Sequence, residues 1–396
     1  MQINFDDYAG HGTGYVIKIA YPKNRELLTE TLVWGNARVL PDSKEMREDS
    51  LFDIASLTKF FTSIIIHRSL DKGLLALDDR IKTIDNRFIN LENITICDLL
   101  AHRKELWTDG YLGDACSRDD FYQRLFNAKI KRPVRNYVDS HYMILSIILE
   151  KIYGKSFVQI VAEEIVAVLG LKNTTFHGLG KENIVSNNFE TVNGEIVSDI
   201  YPGIVHDAKA RAAAAWGINV GHAGIFTTAG DLFAILKSLI DGKYLLLTEQ
   251  SLERMLIHDN VYPDILEIMQ GFAQAKGIRI NDESGDINKI YADIAKNLDD
   301  EEELYLKIIR PYNYGGTRYK NPLDKKNELP LKASAKSIIF SGYTGPIFFI
   351  DFEKTIIILV MTNTCHNSKK NRHERYALSQ KMIAELFEYA LEISES

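Results

Sequence analysis

A serine three residues ahead of a lysine, Ser56-Leu57-Thr58-Lys59, is the arrangement in this chain best suited to nucleophilic chemistry. On a helix, positions i and i+3 share a face, so the hydroxyl and the amine come within hydrogen-bond reach. A serine hydroxyl is a weak nucleophile until a neighbour takes its proton, and a desolvated lysine can do so. Spacing alone does not single the pair out. A chain this long holds about one or two such matches by chance, and Ser69-Leu70-Asp71-Lys72 is a second one. Context separates them. Ser56 follows Phe52-Asp53-Ile54-Ala55 at a strand-to-helix boundary, where first-turn N–H groups are unpaired and available to an oxyanion. Ser69 and Lys72 read as a surface helix end.

Other chemistries lack their patterns. His102, His141 and His222 have no ligand spacing such as HExxH, which argues against a metal. There is no G-x-S-x-G elbow, which removes the α/β-hydrolase alternative, and no Walker loop or dinucleotide fingerprint, so no cofactor is expected. Cys97, Cys116 and Cys365 are too scattered for a disulfide framework or a four-cysteine zinc site. A net charge of -7 argues against nucleic acid or an anionic membrane, because phosphate binding needs clustered Lys and Arg. The basic stretch Lys369, Lys370, Arg372, Arg375 reads as a solvated loop. No apolar run reaches membrane-spanning length, and the start MQINFDDYAGHG lacks the marks of a secretory signal. Met1 as the native start implies the cytoplasm.

The elements that must position Ser56 follow from periodicity. Tyr15–Tyr21 and Leu27–Trp34 read as a hairpin around Pro22-Lys23-Asn24. From Phe60 to Gly73 the apolar period becomes helical, and residues 94–170 read as helices, notably Tyr142–Ile152 and Phe157–Leu169. Strand character returns at Ile338–Phe340, Ile347–Asp351 and Thr355–Thr362, and a helix over Leu378–Leu391 closes the chain. Strands at both ends with helices between predict an α/β (α+β) architecture. An antiparallel sheet flanked by helices is built from both chain ends, residues 1–75 and 200–396. An all-helical subdomain, 76–199, is inserted, and 257–335 is a variable insertion holding the acidic run Asp299–Glu303 and the aromatic loop Pro311–Tyr319.

SLFDIASLTKFFTS, residues 50–63, resembles the active-site helix of the β-lactamase and penicillin-binding-protein superfamily, in its class C and esterase-like branch. ITICDLLAHRKEL, Tyr137-Val138-Asp139 with the helix behind it, VLGLKNTTF, GHAGIFTTAGD and Phe340-Ser341-Gly342 resemble that branch's segments in order. The resemblance covers residues 10–256 and 336–392. It implies a β-lactamase/transpeptidase-like fold, Ser56 as nucleophile, and Lys59 and Tyr137 as its proton handlers. The backbone N–H groups of Ser56 and Tyr343 would form the oxyanion hole, and Asp139, Phe340, Ser341 and Gly342 would contact substrate.

Two departures bear on substrate. The second motif ends in Asp139 where the family has Asn, and an ionised Asp only accepts hydrogen bonds; substrate contact and helix N-cap are its two readings. The third motif begins with Phe340 where the family has Lys or His, the cation that reads a β-lactam or D-alanyl carboxylate. Arg318 and Lys336 are the candidate replacements. Val205-His206-Asp207 resembles a further segment of the branch and reads as an internal hydrogen-bonded pair near the cleft. The expected function is a serine hydrolase or acyltransferase acting through acyl-Ser56 on an ester, thioester or amide. The partner is a small-molecule or peptide acyl substrate, or an acyl donor protein, with no nucleic acid and no membrane insertion. The alternatives are a D-alanyl-D-alanine carboxypeptidase or β-lactamase, and a non-catalytic binding protein.

Overall fold

The computed structural model describes residues 3–40, 42–132, 136–187, 190–192, 195–198, 203–257, 269–271, 273–274, 276–281, 290, 293–294, 312–317, 329–366 and 370–395. The Asp299–Glu303 run, Arg318 and Lys369 lie outside them, as does most of the 257–335 insertion.

Both chain ends meet in one sheet. β1 (Gly14–Lys23) turns into β2 (Glu26–Arg38), which pairs with β3 (Lys44–Glu45). β4 (Leu51–Asp53), β5 (Glu105–Trp107), β6 (Lys129–Arg132), β7 (Glu190–Val192), β8 (Glu195–Ser198) and β9 (Phe226–Thr228) form three separate two-stranded pairs. β10 (Ser337–Ser341), β11 (Ile347–Asp351) and β12 (Ile356–Thr362) complete the main sheet, in the order β10-β11-β12-β1-β2-β3. Its ladders are antiparallel, with Tyr15 opposite Trp34 on one side and Thr362 on the other.

Period-2 alternation divides this sheet between two cores. Ile357, Leu359 and Met361 point into a core that contains Phe60, Phe61, Ile64 and Ile65 of the helix Thr58–Asp71. Ile356, Ile358 and Val360 point the other way, onto Met382, Ile383, Leu386 and Phe387 of the C-terminal helix Arg372–Glu395. A strand covered on both faces reads as an unbroken apolar run, which is why TIIILVMT shows no alternation.

Three differences from the sequence reading have local causes. The 76–199 segment carries the β5–β6 and β7–β8 pairs as well as helices; these strands are three or four residues long, too short for a period to show. The C-terminal helix starts at Arg372, six residues before Leu378. Its first turn is polar, but Asn371 Oδ1 accepts from the N–H groups of His373 and Glu374, and Glu374 returns a bond to the Asn371 N–H, a capping box. Arg372 and Arg375 therefore stand on a helix and not in a solvated loop. Ser69 is buried, donating to the Ile65 carbonyl and bonding Tyr153, while Lys72 pairs with Glu164. Among the described residues no helix is long and apolar enough to cross a membrane.

Candidate active site

Ser56 sits in a single 3-10 turn, Ala55–Leu57, that runs into the helix Thr58–Asp71. In such a turn residues i and i+3 eclipse, which places Lys59 Nζ 3.2 Å from Ser56 Oγ. Lys59 is fully buried and uses its three hydrogens on three acceptors: Ser56 Oγ, Asp139 Oδ1 at 2.8 Å and the His222 carbonyl at 3.1 Å. Tyr137, just ahead of the helix Ser140–Tyr153, brings its hydroxyl to 2.9 Å from Ser56 Oγ. Its ring lies 4.8 Å from Lys59 Nζ and packs beside His102 and Tyr312, at 4.7 and 5.6 Å. The expected trio is thus in mutual contact.

The motifs between these residues serve the assembly. Gly221 fits where the nucleophile helix, the Ser140 helix and its own loop converge; a Cβ there would lie 2.6 Å from the Tyr142 carbonyl oxygen. Thr62 Oγ1 donates to the Gly221 carbonyl and the Ile225 N–H donates to Thr58 Oγ1, which fixes the loop that presents the His222 carbonyl to Lys59. Gly342 does the same on the opposite wall, where a Cβ would lie 2.4 Å from the Ile54 carbonyl oxygen. Among the described residues the backbone N–H groups of Ser56 and Tyr343 donate to no partner, so both are available to an acyl oxygen.

Asp53 was not legible as a site residue, yet it braces this wall. One carboxylate oxygen accepts from the Ala55 N–H at 2.8 Å and the other from the His206 N–H at 2.7 Å. Its carbonyl accepts from Thr344 Oγ1 at 2.7 Å. The carboxylate thereby holds Ala55 in a left-handed conformation, φ 45°, one that a non-glycine residue adopts only under tertiary constraint. Complete burial pushes the Asp53 carboxyl up to about 6, against the pull of its two N–H donors. A carboxyl raised in the folded state stabilises the fold below its unfolded value near 3.8 and loses that contribution as pH rises through about 6. The stability of the wild type relative to Asp53→Asn should therefore fall by about 2 kcal/mol between pH 4 and pH 7. Urea midpoints across that range check it, and parallel curves would refute the upward shift of the Asp53 carboxyl.

Asp139 occupies the N-cap position of its helix, but its side chain accepts none of that helix's N–H groups, which corrects the capping reading. Its second oxygen takes Lys209 Nζ at 2.8 Å. Burial alone would raise the Asp139 carboxyl, but the charges of Lys59, His222 and Lys209 outweigh it and hold it well below the usual carboxylate range. Asp207 bonds His222 Nε2 at 2.9 Å and caps the helix Ala208–Ala215. The hydrogen-bonded pair of the Val205-His206-Asp207 segment is thus Asp207 with His222, not with His206. Asp139, Asp207 and His222 bring ligand-type atoms within 4.8 Å of one another, but the Lys209 ammonium stands 2.8 Å from Asp139 and 3.5 Å from Asp207 and supplies the positive charge there.

These groups face a cleft of about 770 Å³. Phe340, Ser341 and Gly342 line one wall, with Phe340 buried against Phe348, and Tyr312 lines the floor. Lys336 is not among the lining residues; Arg372 and Arg375 are, their guanidinium groups 5.3 and 5.5 Å from the Tyr343 ring.

The Beta-lactamase family matches residues 29–381. A putative D-alanyl-D-alanine carboxypeptidase of Escherichia coli (strain K12) is 25% identical over 247 residues, 53% of this chain and 56% of that protein. This chain spans about half the length of the curated relatives it matches. Among solved structures, EstCE1, a hydrolase with promiscuous acyltransferase activity, superposes with a TM-score of 0.66 at 16% identity, covering 96% of this chain and 95% of its own. Simvastatin synthase (LovD) from Aspergillus terreus gives 0.66 at 18% identity, covering 96% and 95%. A class C beta lactamase from Rhodobacter sphaeroides gives 0.59 at 14%, covering 96% and 97%. A family match over most of the chain and a shared fold lead to one assignment: this chain belongs to the beta-lactamase family, whose members are serine hydrolases.

Proposed function

We propose that this chain is a serine hydrolase or acyltransferase that works through a covalent acyl-Ser56 intermediate on an ester, thioester or amide. One observation carries the reading: Ser56 Oγ lies between Tyr137 OH and Lys59 Nζ, at 2.9 and 3.2 Å, at the base of an open cleft. Tyr137 and Lys59 both point a donor at Oγ in the resting arrangement. Once Tyr137 has lost its proton, stabilised by the adjacent ammonium, the same contact reverses and Ser56 donates. Oγ then bonds the acyl carbon, its proton passes to Tyr137, and the leaving group departs with that proton. Water or an acceptor alcohol or amine repeats the sequence in reverse. The N–H groups of Ser56 and Tyr343 hold the developing oxyanion.

Intact mass after exposure to a fluorophosphonate tests the reading. The expected result is one adduct on the wild type and none on Ser56→Ala; an unmodified wild type would overturn it. A second reading, D-alanyl-peptide cleavage, has its own support in Arg372 and Arg375 at the cleft wall and in the names of the curated relatives. Those arginines supply a cation that Phe340 cannot. Stable labelling of Ser56 by a β-lactam at low concentration would favour this reading over the first.

A further inference from the structure

We infer that Lys209 is a positioning residue for Ser56 acylation: by holding the outer oxygen of Asp139 it restricts Asp139 to one contact with Lys59 and leaves Lys59 a hydrogen for Ser56. The inference rests on the proposed reading of Ser56 as the nucleophile.

The distances set the competition. Of the three contacts made by Lys59 Nζ, that to Asp139 Oδ1 is 2.8 Å and that to Ser56 Oγ is 3.2 Å, so Ser56 holds the longest. A carboxylate prefers to satisfy both oxygens with charged donors. Asp139 satisfies the second one on Lys209, at 2.8 Å. Without that ammonium, Oδ2 turns toward Lys59, and the Ser56 contact is the one given up.

Charge points the same way. The charged and titratable groups facing Asp139 are Lys59 from the nucleophile helix, His141 and Tyr137 from the Ser140 segment, Lys209 and Asp207 from the Ala208 helix, and His222 from the loop before β9. His141 is pushed down to about 3, mainly by burial, and adds no charge at neutral pH. Lys209 offsets Asp139, and Asp207 is tied to His222 and to its own helix start. Tyr111 covers Lys209, its ring 5.8 Å from Nζ. Burial would lower the Lys209 amine, but Asp139 and Asp207 hold it above the usual lysine range.

The location of Lys209 is itself costly. It is the second residue of its helix, where the macrodipole disfavours a cation. Such a local conflict is expected where function demands the residue.

The test is the pH dependence of fluorophosphonate labelling of Ser56 in four proteins: wild type, Lys209→Met, Asp139→Asn and the double variant. Thermal midpoints monitor the fold. Lys209→Met leaves an extra negative charge beside Ser56 and Tyr137, which opposes proton loss and the oxyanion. Its labelling rate should fall about tenfold and the acid limb of its profile should move up by about one pH unit. Asp139→Asn leaves an extra positive charge and should move that limb down. The double variant restores the net charge; its limb should return to the wild-type position and its rate should recover to within about threefold. Lys209→Arg should retain the wild-type limb. A Lys209→Met profile matching wild type, or a double variant that keeps the Lys209→Met shift, would overturn the inference while leaving the nucleophile in place. Wild-type protein that does not label removes the underlying reading, and this inference with it.

Discussion

Tyr137→Phe should acylate Ser56 about 10²–10⁴-fold more slowly than wild type, the usual worth of a general acid–base group. The substitution removes one oxygen and keeps the ring, so the contacts with His102 and Tyr312, at 4.7 and 5.6 Å, are retained. Tyr137 is only half-buried, and the change leaves no sizeable cavity. Lys59 still reaches Ser56, but its three hydrogens are engaged with three acceptors, one of them the Asp139 carboxylate, and it has no lone pair to offer while they are. The proton on Oγ then has no route out. Labelling rates and the split between kcat and KM on an aryl ester check this. The loss should fall on kcat, since Tyr137 acts at the reacting atom. A variant within threefold of wild type would transfer the base role to Lys59.

Gly342→Ala tests the opposite wall with a smaller chemical change. The added Cβ would lie 2.4 Å from the Ile54 carbonyl oxygen and 3.2 Å from its carbon, closer than a backbone oxygen tolerates. Neither side yields easily. The Gly342 N–H is bonded to the Pro346 carbonyl at 2.7 Å, and the Ile54 N–H to the Ile225 carbonyl at 3.1 Å. The turn bearing Tyr343 must therefore move away from the turn bearing Ser56, which pulls apart the two N–H groups meant for one oxygen. A displacement near 1 Å or the loss of one such donor costs about 10²–10³ in rate. Overpacking adds about 1–3 kcal/mol of destabilisation. Rates corrected for folded fraction separate the two effects. A folded variant of wild-type rate would remove Tyr343 from the oxyanion site.

Much of this arrangement was legible because each signal was local. The spacing of Ser56 and Lys59 survives any fold that makes a helix there, and the sheet was announced by apolar runs at both ends of the chain. The groups that escaped are those whose role is set by distant partners. Lys209 lies in a run of alanines, KARAAAA, and only the fold brings it 70 residues back to Asp139. Asp53 sits in the apolar segment LFDIAS, where a lone acid is a visible anomaly, but its donors at Ala55 and His206 are not. Arg372 and Arg375 were placed in a loop because their turn is polar; the N-x-x-E pattern of Asn371 and Glu374 was the available sign of a helix start. Phe340 reads as a lost cation in sequence, while in space arginines from another element line the same cleft.

The strand order has a consequence for biosynthesis. β1 has β12 as its other neighbour, with Tyr15 opposite Thr362, and the Ser56 turn is tied to the last strands through Thr344. A ribosome making the chain from its N-terminus exposes Ser56, Lys59 and Tyr137 long before either partner has been translated. Until residues near 364 have emerged, β1 keeps an unpaired edge and the oxyanion wall does not exist, so the nascent chain carries a serine without reactivity. That open edge also makes the unfinished chain the stage most exposed to aggregation. Labelling of stalled chains should be absent up to β11 and appear once β12 has cleared the exit tunnel.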